Sequence, residues 1–208
     1  TITKSPKFLK LKMKTSLIIA HPNPQSFNHA IAQKVTEACQ QLKHEIFYHD
    51  LYLEKFNPVA TNEETVSADS IPDDVQTYCT ELEQSDNIII IHPNWWGQPP
   101  AIIKGWVDRI LRFGIAYRFE GKKGEIGTPV GLLTNKSVII LNTSNTPEEI
   151  EINEYHDPLE HLWNKCIFQF CGVKHFYRRM FKMVAMSTDQ QRAEWLSETG
   201  EIIKKHLV

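Results

Sequence analysis

The chain has 208 residues, of which 41% are hydrophobic and 23% charged, with a formal net charge of -2. That length suits one substantial α/β domain and is short for two. The weak charge gives no electrostatic basis for binding nucleic acid or an anionic membrane. No apolar run approaches the ~20 residues needed to cross a bilayer.

The opening segment, Thr1 to Lys12, carries four lysines together with Phe8, Leu9 and Leu11. A weak amphipathic helix is one reading. A non-native N-terminal extension is the preferred one, because the first core strand starts immediately after Met13. The domain is therefore expected to span 13–208.

Residues 15–20 read as a buried strand ending in His21-Pro22. Residues 28–42 follow as a helix with Ile31, Val35, Ala38 and Leu42 on one face. A second strand is predicted at 45–50, a polar loop over 54–70, and a helix over 72–84 that opens on Pro72 with Asp73 and Asp74 favourable to its dipole. The third strand, 86–92, carries the continuous apolar run 88–91 and ends in His92-Pro93. A helix at 99–112 precedes a glycine-rich excursion over 113–136, of a length that is usually functional in compact domains. A fourth strand at 137–143, a helix near 157–171, a strand within 173–184 and a last helix from Thr188 to His206 complete the pattern. Continuous apolar strands alternating with helices predict an α/β fold: one doubly wound domain with a five-stranded parallel sheet, of the flavodoxin kind. In that topology the first and third strands flank the switch point where ligands bind.

Three loops at strand ends are the candidate site. The first places Ser26, Phe27 and Asn28 at a helix start, where free N–H groups and a hydroxyl suit a phosphate; a plain cap is the alternative. The second, Pro93, Asn94, Trp95, Trp96 and Gly97, sets two adjacent indoles on a constrained backbone, so at least one is expected to face a ligand or a partner subunit. The third, Thr143, Ser144, Asn145 and Thr146, offers donors and acceptors for a polar ring edge, although the same residues favour turns. His21 and His92 end neighbouring strands; a loop-anchoring hydrogen bond is preferred over a metal pair, since no carboxylate accompanies them. Tyr155 and His156 are candidates to donate to a ring oxygen or relay a proton, against a capped, solvent-facing helix start.

Several motifs are excluded. The chain lacks GxGxxG and HExxH, and Gly131 to Ser137 imitates the tail of a phosphate-binding loop without its second glycine and on the wrong side of a strand. The cysteines Cys39, Cys79, Cys166 and Cys171 form no CxxC or zinc spacing. Cys39, Cys79 and Cys166 sit in apolar or helical patterns, so a reduced, cytoplasmic protein is expected.

Taken together, His21-Pro22 with Ser26-Phe27-Asn28, then Pro93-Asn94-Trp95-Trp96-Gly97, then Pro100 through Trp106-Val107-Asp108-Arg109, with Ala116-Tyr117, Gly131 to Lys136, Thr143 and Phe170-Cys171-Gly172, resemble the NAD(P)H:quinone oxidoreductase family of flavodoxin-like flavoproteins. The resemblance runs from Met13 to nearly the end. It implies a non-covalent flavin, FMN with FAD as the alternative, and NAD(P)H as co-substrate. It also implies hydride transfer to a quinone or similar acceptor, and a homodimer with its active sites at the subunit interface. By the same resemblance His21, Ser26, Phe27 and Asn28 hold the phosphate and ribityl end, Pro93 to Gly97 line the isoalloxazine, and Thr143 to Thr146 meet its pyrimidine edge. The family's two glycines after the threonines are missing here, and Tyr155 and His156 stand in for its Tyr and His. Some relatives regulate potassium-efflux channels, so a redox-sensing regulatory subunit is a second expectation; a one-electron carrier is disfavoured by the charge of -2. The dimer is also expected from helix 99–112 itself, with Trp106 and Ile110 partly covered by a partner.

Overall fold

The computed structural model describes residues 12–66, 71–121 and 126–207; nearly all of the N-terminal extension lies outside them. Strands β1 (Lys14–Ile19), β2 (Glu45–Asp50), β3 (Asn87–Pro93), β6 (Ser137–Thr143) and β7 (His175–Phe181) form a parallel sheet in the order β2-β1-β3-β6-β7. Every residue of β3 is buried, as both-face covering of a central parallel strand demands. Helices α1 (Phe27–Gln41) and α6 (Asp189–His206) cover one face, where Ile31, Val35 and Ile203 meet Leu17, Ile19, Ile89, Ile91 and Leu141. Helices α3 (Asp73–Gln84) and α4 (Ala101–Ile110) cover the other, together with the segment carrying Leu159, Trp163 and Phe168. Among the described residues no helix is long and apolar enough to cross a membrane.

The predicted sheet and its four long helices are present. Four details differ. The polar stretch 54–70 contains a short helix α2 (Asn62–Val66), whose Glu64 binds the buried Arg109 Nε at 3.1 Å. Arg109 also donates to Asn57 O (2.7 Å) and bidentately to Asp74, which is held below the usual carboxylate range by that contact. One buried guanidinium thus ties this polar stretch to α4, a link no local pattern announces. The excursion after α4 contains an antiparallel hairpin of β4 (Tyr117–Glu120) and β5 (Thr128–Gly131). The segment expected as one helix near 157–171 is a short α5 (Pro158–Glu160) running into a π-helical His161–Phe168, preceded by a second π-helical turn at Ile150–Glu154. Finally, Trp106 and Ile110 lie inside the core on the α3/α4 face of the sheet rather than on the surface, and Cys166 is exposed whereas Cys39, Cys79 and Cys171 are buried and free. Helix α4 is apolar because it seals the sheet.

A buried hydrogen-bond chain fixes the strand ends that carry the candidate loops. His92, at the end of β3, is fully buried and bonds Pro93 O through Nδ1 at 2.8 Å. Its Nε2 then accepts from Asn142 Nδ2 (2.8 Å) on the neighbouring β6 and from Trp163 Nε1 (3.0 Å) on the π-helical segment. Asn142 Oδ1 accepts from Arg178 Nε (2.8 Å) on β7, and Arg178 pairs bidentately with Asp157 at 2.8 Å on both oxygens. The loop-anchoring reading of His92 therefore holds, and its reach extends across three strands.

The chain requires a neutral His92, because a second ring proton has no acceptor there. Burial pushes this imidazole down to about 4, against ~6.5 in an unfolded chain. Between those values the unfolded chain binds the extra proton, so this stabilisation is complete above the window and is lost as the pH falls through it. Urea unfolding is expected to show wild type losing about 2–3 kcal/mol more than His92→Gln between about pH 7 and about pH 4.5. Equal losses in the two proteins would contradict this account of His92.

Candidate functional site

The three loops meet at the carboxyl ends of β1, β3 and β6. They are joined directly. Asn94 N donates to Thr143 O at 2.6 Å, and Asn28 Nδ2 donates to Thr143 Oγ1 at 2.9 Å. A cleft of about 590 Å³ opens here, lined by Asn94, Trp96, Gly97, Thr146, Tyr155 and Pro158. It thus draws on the second and third loops and on the segment after them.

The second loop is a tight two-residue turn. Trp95 and Gln98 exchange backbone hydrogen bonds of 2.9 and 3.0 Å, and the central Trp96 and Gly97 both have positive φ, 59° and 69°. Such a turn wants glycine or asparagine at both central positions. Gly97 fits, and has a second reason to be glycine: a Cβ there would lie 2.9 Å from Pro158 Cγ. Trp96 does not fit. A tryptophan in the left-handed region costs on the order of 1–3 kcal/mol, and its side chain is fully exposed, 101% relative to the free residue. No packing in this chain offsets that cost. An outlier of this kind at the edge of a cleft is an observed reason to look for a ligand.

The first loop is a capped helix start. Ser26 is the N-cap of α1, its Oγ accepting from His29 N and bonding His29 Nδ1 at 2.9 Å. His29 Nε2 in turn meets Asp50 Oδ2 at 2.9 Å. Phe27 turns into the core on the α1/α6 face against Phe181 and Trp195, and the Asn28 side chain is committed to Thr143. The backbone N–H groups of these two residues belong to the first helical turn, where a helix supplies no intrahelical acceptor. His21 Nδ1 accepts from Asn23 N at 3.1 Å, its ring centroid 6.1 Å from that of Trp95; burial lowers its basicity.

The third loop is largely used by the fold. Ser144 is buried, its Oγ accepting from Thr146 N (3.1 Å) and reaching Glu151 Oε2 (3.4 Å). Asn145 Oδ1 accepts from Ala185 N at 2.8 Å, the turn chemistry weighed as its alternative. Thr146 lines the cleft.

Tyr155 is 57% exposed and lines the cleft, whereas His156 is exposed in a left-handed turn and is not among the lining residues. His156 and Asp157 are consecutive non-glycine residues at positive φ, 55° and 44°. Asp157 explains the strain: its carboxylate takes Arg178 and caps Glu160 N. Pairing with Arg178 thus fixes the bend that aims Tyr155.

Four partners were not legible as site residues: His29, Asp50, Glu151 and Arg178. His29 stands at the third position after the cap, where a side chain can reach back to it, and that was the one local signal. Glu151 is completely buried, with its carboxylate accepting from Asn94 Nδ2 at 3.0 Å, and nothing in its polar sequence context reveals this.

A planar heteroaromatic cofactor fits what is present. The cleft wall carries an exposed indole, a phenol, a threonine and one buried polar atom, Asn94 Oδ1, that lacks a partner among the described residues. A helix start lies on the same rim, beside β1, for a phosphate. Among the described residues no cluster of His, Cys, Asp or Glu has the arrangement to hold a metal ion.

Known proteins agree with this architecture. The family model described as flavodoxin-like fold matches residues 13–206. An uncharacterized NAD(P)H oxidoreductase of Haemophilus influenzae is 34% identical over 181 residues, covering 85% of this chain and 87% of that one. A ribosyldihydronicotinamide dehydrogenase [quinone] of Rattus norvegicus is 25% identical, covering 92% and 93%. An FMN-dependent NADH-azoreductase from Bacillus anthracis, solved in complex with FMN, superimposes with a TM-score of 0.71 over 93% of this chain and 98% of that one at 17% identity, a likeness of fold alone. The family model and the Haemophilus influenzae relative show that the chain belongs to the flavodoxin-like NAD(P)H:quinone oxidoreductase family.

Proposed function

We propose that the protein binds FMN in the cleft at the carboxyl ends of β1, β3 and β6 and uses it to oxidise NAD(P)H with a quinone or similar small acceptor. The balance is NAD(P)H, a proton and quinone giving NAD(P)+ and hydroquinone. Membership of the family makes the chain an oxidoreductase of the NAD(P)H dehydrogenase (quinone) type. The observation that carries the flavin reading is the strained, fully exposed Trp96 beside a cleft with one unpartnered buried acceptor.

A flavin supplies the two-electron carrier that accepts hydride from the nicotinamide and delivers it to the acceptor. The residues do the rest by holding and aligning. The Ser26 hydroxyl and the first N–H groups of α1 grip the phosphate, and the His29–Asp50 pair orients Ser26. The backbone of Pro93 to Gly97 lines the ring. Trp96 walls the slot that nicotinamide and acceptor occupy in turn. Tyr155 offers a phenolic O–H donor to the ring edge where negative charge gathers. The Thr143–Thr146 loop supports that edge chiefly through its backbone, since most of its side chains are engaged.

We also assign a homodimer in the cytoplasm. Supporting the dimer are Phe113, Phe119 and Phe170, exposed large apolar residues linked through Tyr117 by ring contacts of 5.1 to 6.2 Å. Four free cysteines are in keeping with a reducing compartment.

Protein purified from its host is expected to be yellow and to release FMN on denaturation, identified by chromatography. A colourless preparation that quenches neither FMN nor FAD fluorescence would overturn the flavin reading. Trp96→Gly removes the slot wall and the backbone strain together. NAD(P)H oxidation with a quinone should then fall about tenfold while urea stability stays level or rises by about 0.5–1 kcal/mol. Unchanged turnover would remove Trp96 from the slot. Sedimentation at micromolar concentration is expected to give a dimer, and a monomer alone would contradict that assignment.

A further inference from the structure

Glu151 is a costly residue for the task of joining two loops. Its carboxylate is fully buried, and its partners are neutral: Asn94 Nδ2 at 3.0 Å and Ser144 Oγ at 3.4 Å. A buried carboxylate without a cation is expensive, and a glutamine would span the same gap without a charge. In this chain both carboxyl oxygens accept, Oε1 from Asn94 Nδ2 and Oε2 from Ser144 Oγ, and that pattern sets which way the Asn94 amide turns.

The neighbour is Asn94. With its NH2 group turned to Glu151, its Oδ1 must point away. That oxygen is buried and has no partner, and Asn94 forms part of the cleft wall. Three polar side chains of the neighbouring loop are already engaged, Thr143 with Asn28, Ser144 with Glu151 and Thr146 N, and Asn145 with Ala185 N, while Thr146 and Tyr155 share the cleft wall with Asn94. A buried acceptor held in this state is unfavourable until a donor meets it.

We propose that Glu151 is a positioning residue: it locks the Asn94 amide so that Oδ1 accepts a hydrogen bond from a ring N–H of the ligand in the cleft. The inference rests on the flavin reading. Oxidised isoalloxazine carries a single N–H, at N3 of its pyrimidine ring, so N3–H is the group selected. A ring presenting acceptors alone at this point is turned away, because it leaves Oδ1 unpaired and adds lone-pair repulsion. Glu151 itself need not touch the ligand.

The test titrates the full-length chain, freed of flavin, with FMN and with N3-methyl FMN, following flavin fluorescence. Wild type should prefer FMN by about tenfold, the worth of one hydrogen bond. Glu151→Gln can offer its own NH2 to Asn94 Oδ1, so the Asn94 amide is free to turn over and most of the preference should disappear. Asn94→Leu removes the acceptor and should abolish the preference as well, and it reads the same point should Glu151→Gln fail to fold. The double variant should lose no more than the worse single one, since the two residues act as one unit. Retention of the wild-type preference in either folded variant, or losses that add in the double variant, would overturn the inference while leaving flavin binding intact. Failure of wild type to bind either compound would overturn the flavin reading and the inference with it.

Discussion

One imidazole nitrogen organises the working end of this molecule. His92 Nε2 accepts two hydrogen bonds, from Asn142 and Trp163, while Nδ1 bonds the carbonyl of Pro93. That pattern permits one tautomer and one protonation state. It ties β3 to β6, and β6 through Asn142 to Arg178 on β7, and Arg178 to Asp157 at the start of α5. Four segments far apart in sequence therefore share one buried polar network. Such networks are costly when partly satisfied and rigid when complete, and this one is complete along its length. Its rigidity holds the loop after β3 and the bend before α5 together in the wall of one cleft.

Three of the six described non-glycine residues at positive φ, Trp96, His156 and Asp157, belong to the segments this network holds. Asp157 is compensated by its bidentate pair with Arg178 and its cap on Glu160 N. Trp96 has no compensation within the chain. The same asymmetry applies to polar groups: the third loop's side chains are satisfied internally, whereas Asn94 Oδ1 is left over. Both unbalanced features border one cleft. A scaffold that engages Thr143, Ser144 and Asn145 internally, and leaves an indole and an amide oxygen unmet at the cleft beside them, is built to meet something flat with a polar edge.

Much of this was legible in the sequence because it is local. Continuous apolar strands such as 88–91 announce a parallel sheet, and Ser26 ahead of the periodic face of α1 announces a cap. The adjacent tryptophans after Pro93 pointed to the cleft, since two indoles on a constrained loop cannot share a core. Long-range polar pairing was not legible. Arg178 sits in an ordinary-looking edge strand, and Glu151 in a run of acidic and apolar residues that reads as solvated. Trp106 and Ile110 looked like surplus apolar surface until α4 was seen to seal the sheet with them. The π-helical segments were missed for a related reason: their period differs from 3.6, and tertiary anchors such as Trp163 on His92 hold them in place.

The central claim is that a flavin in this cleft carries hydride from NAD(P)H to a quinone. Anaerobic stopped-flow absorbance follows it directly, with purified holoprotein mixed first with NADH or NADPH and then with a quinone. Bleaching of the flavin band by the nicotinamide, and full recovery of the band on addition of one equivalent of quinone, is the predicted result. A flavin band that neither nicotinamide bleaches, or a bleached band that the quinone does not restore, would contradict the account.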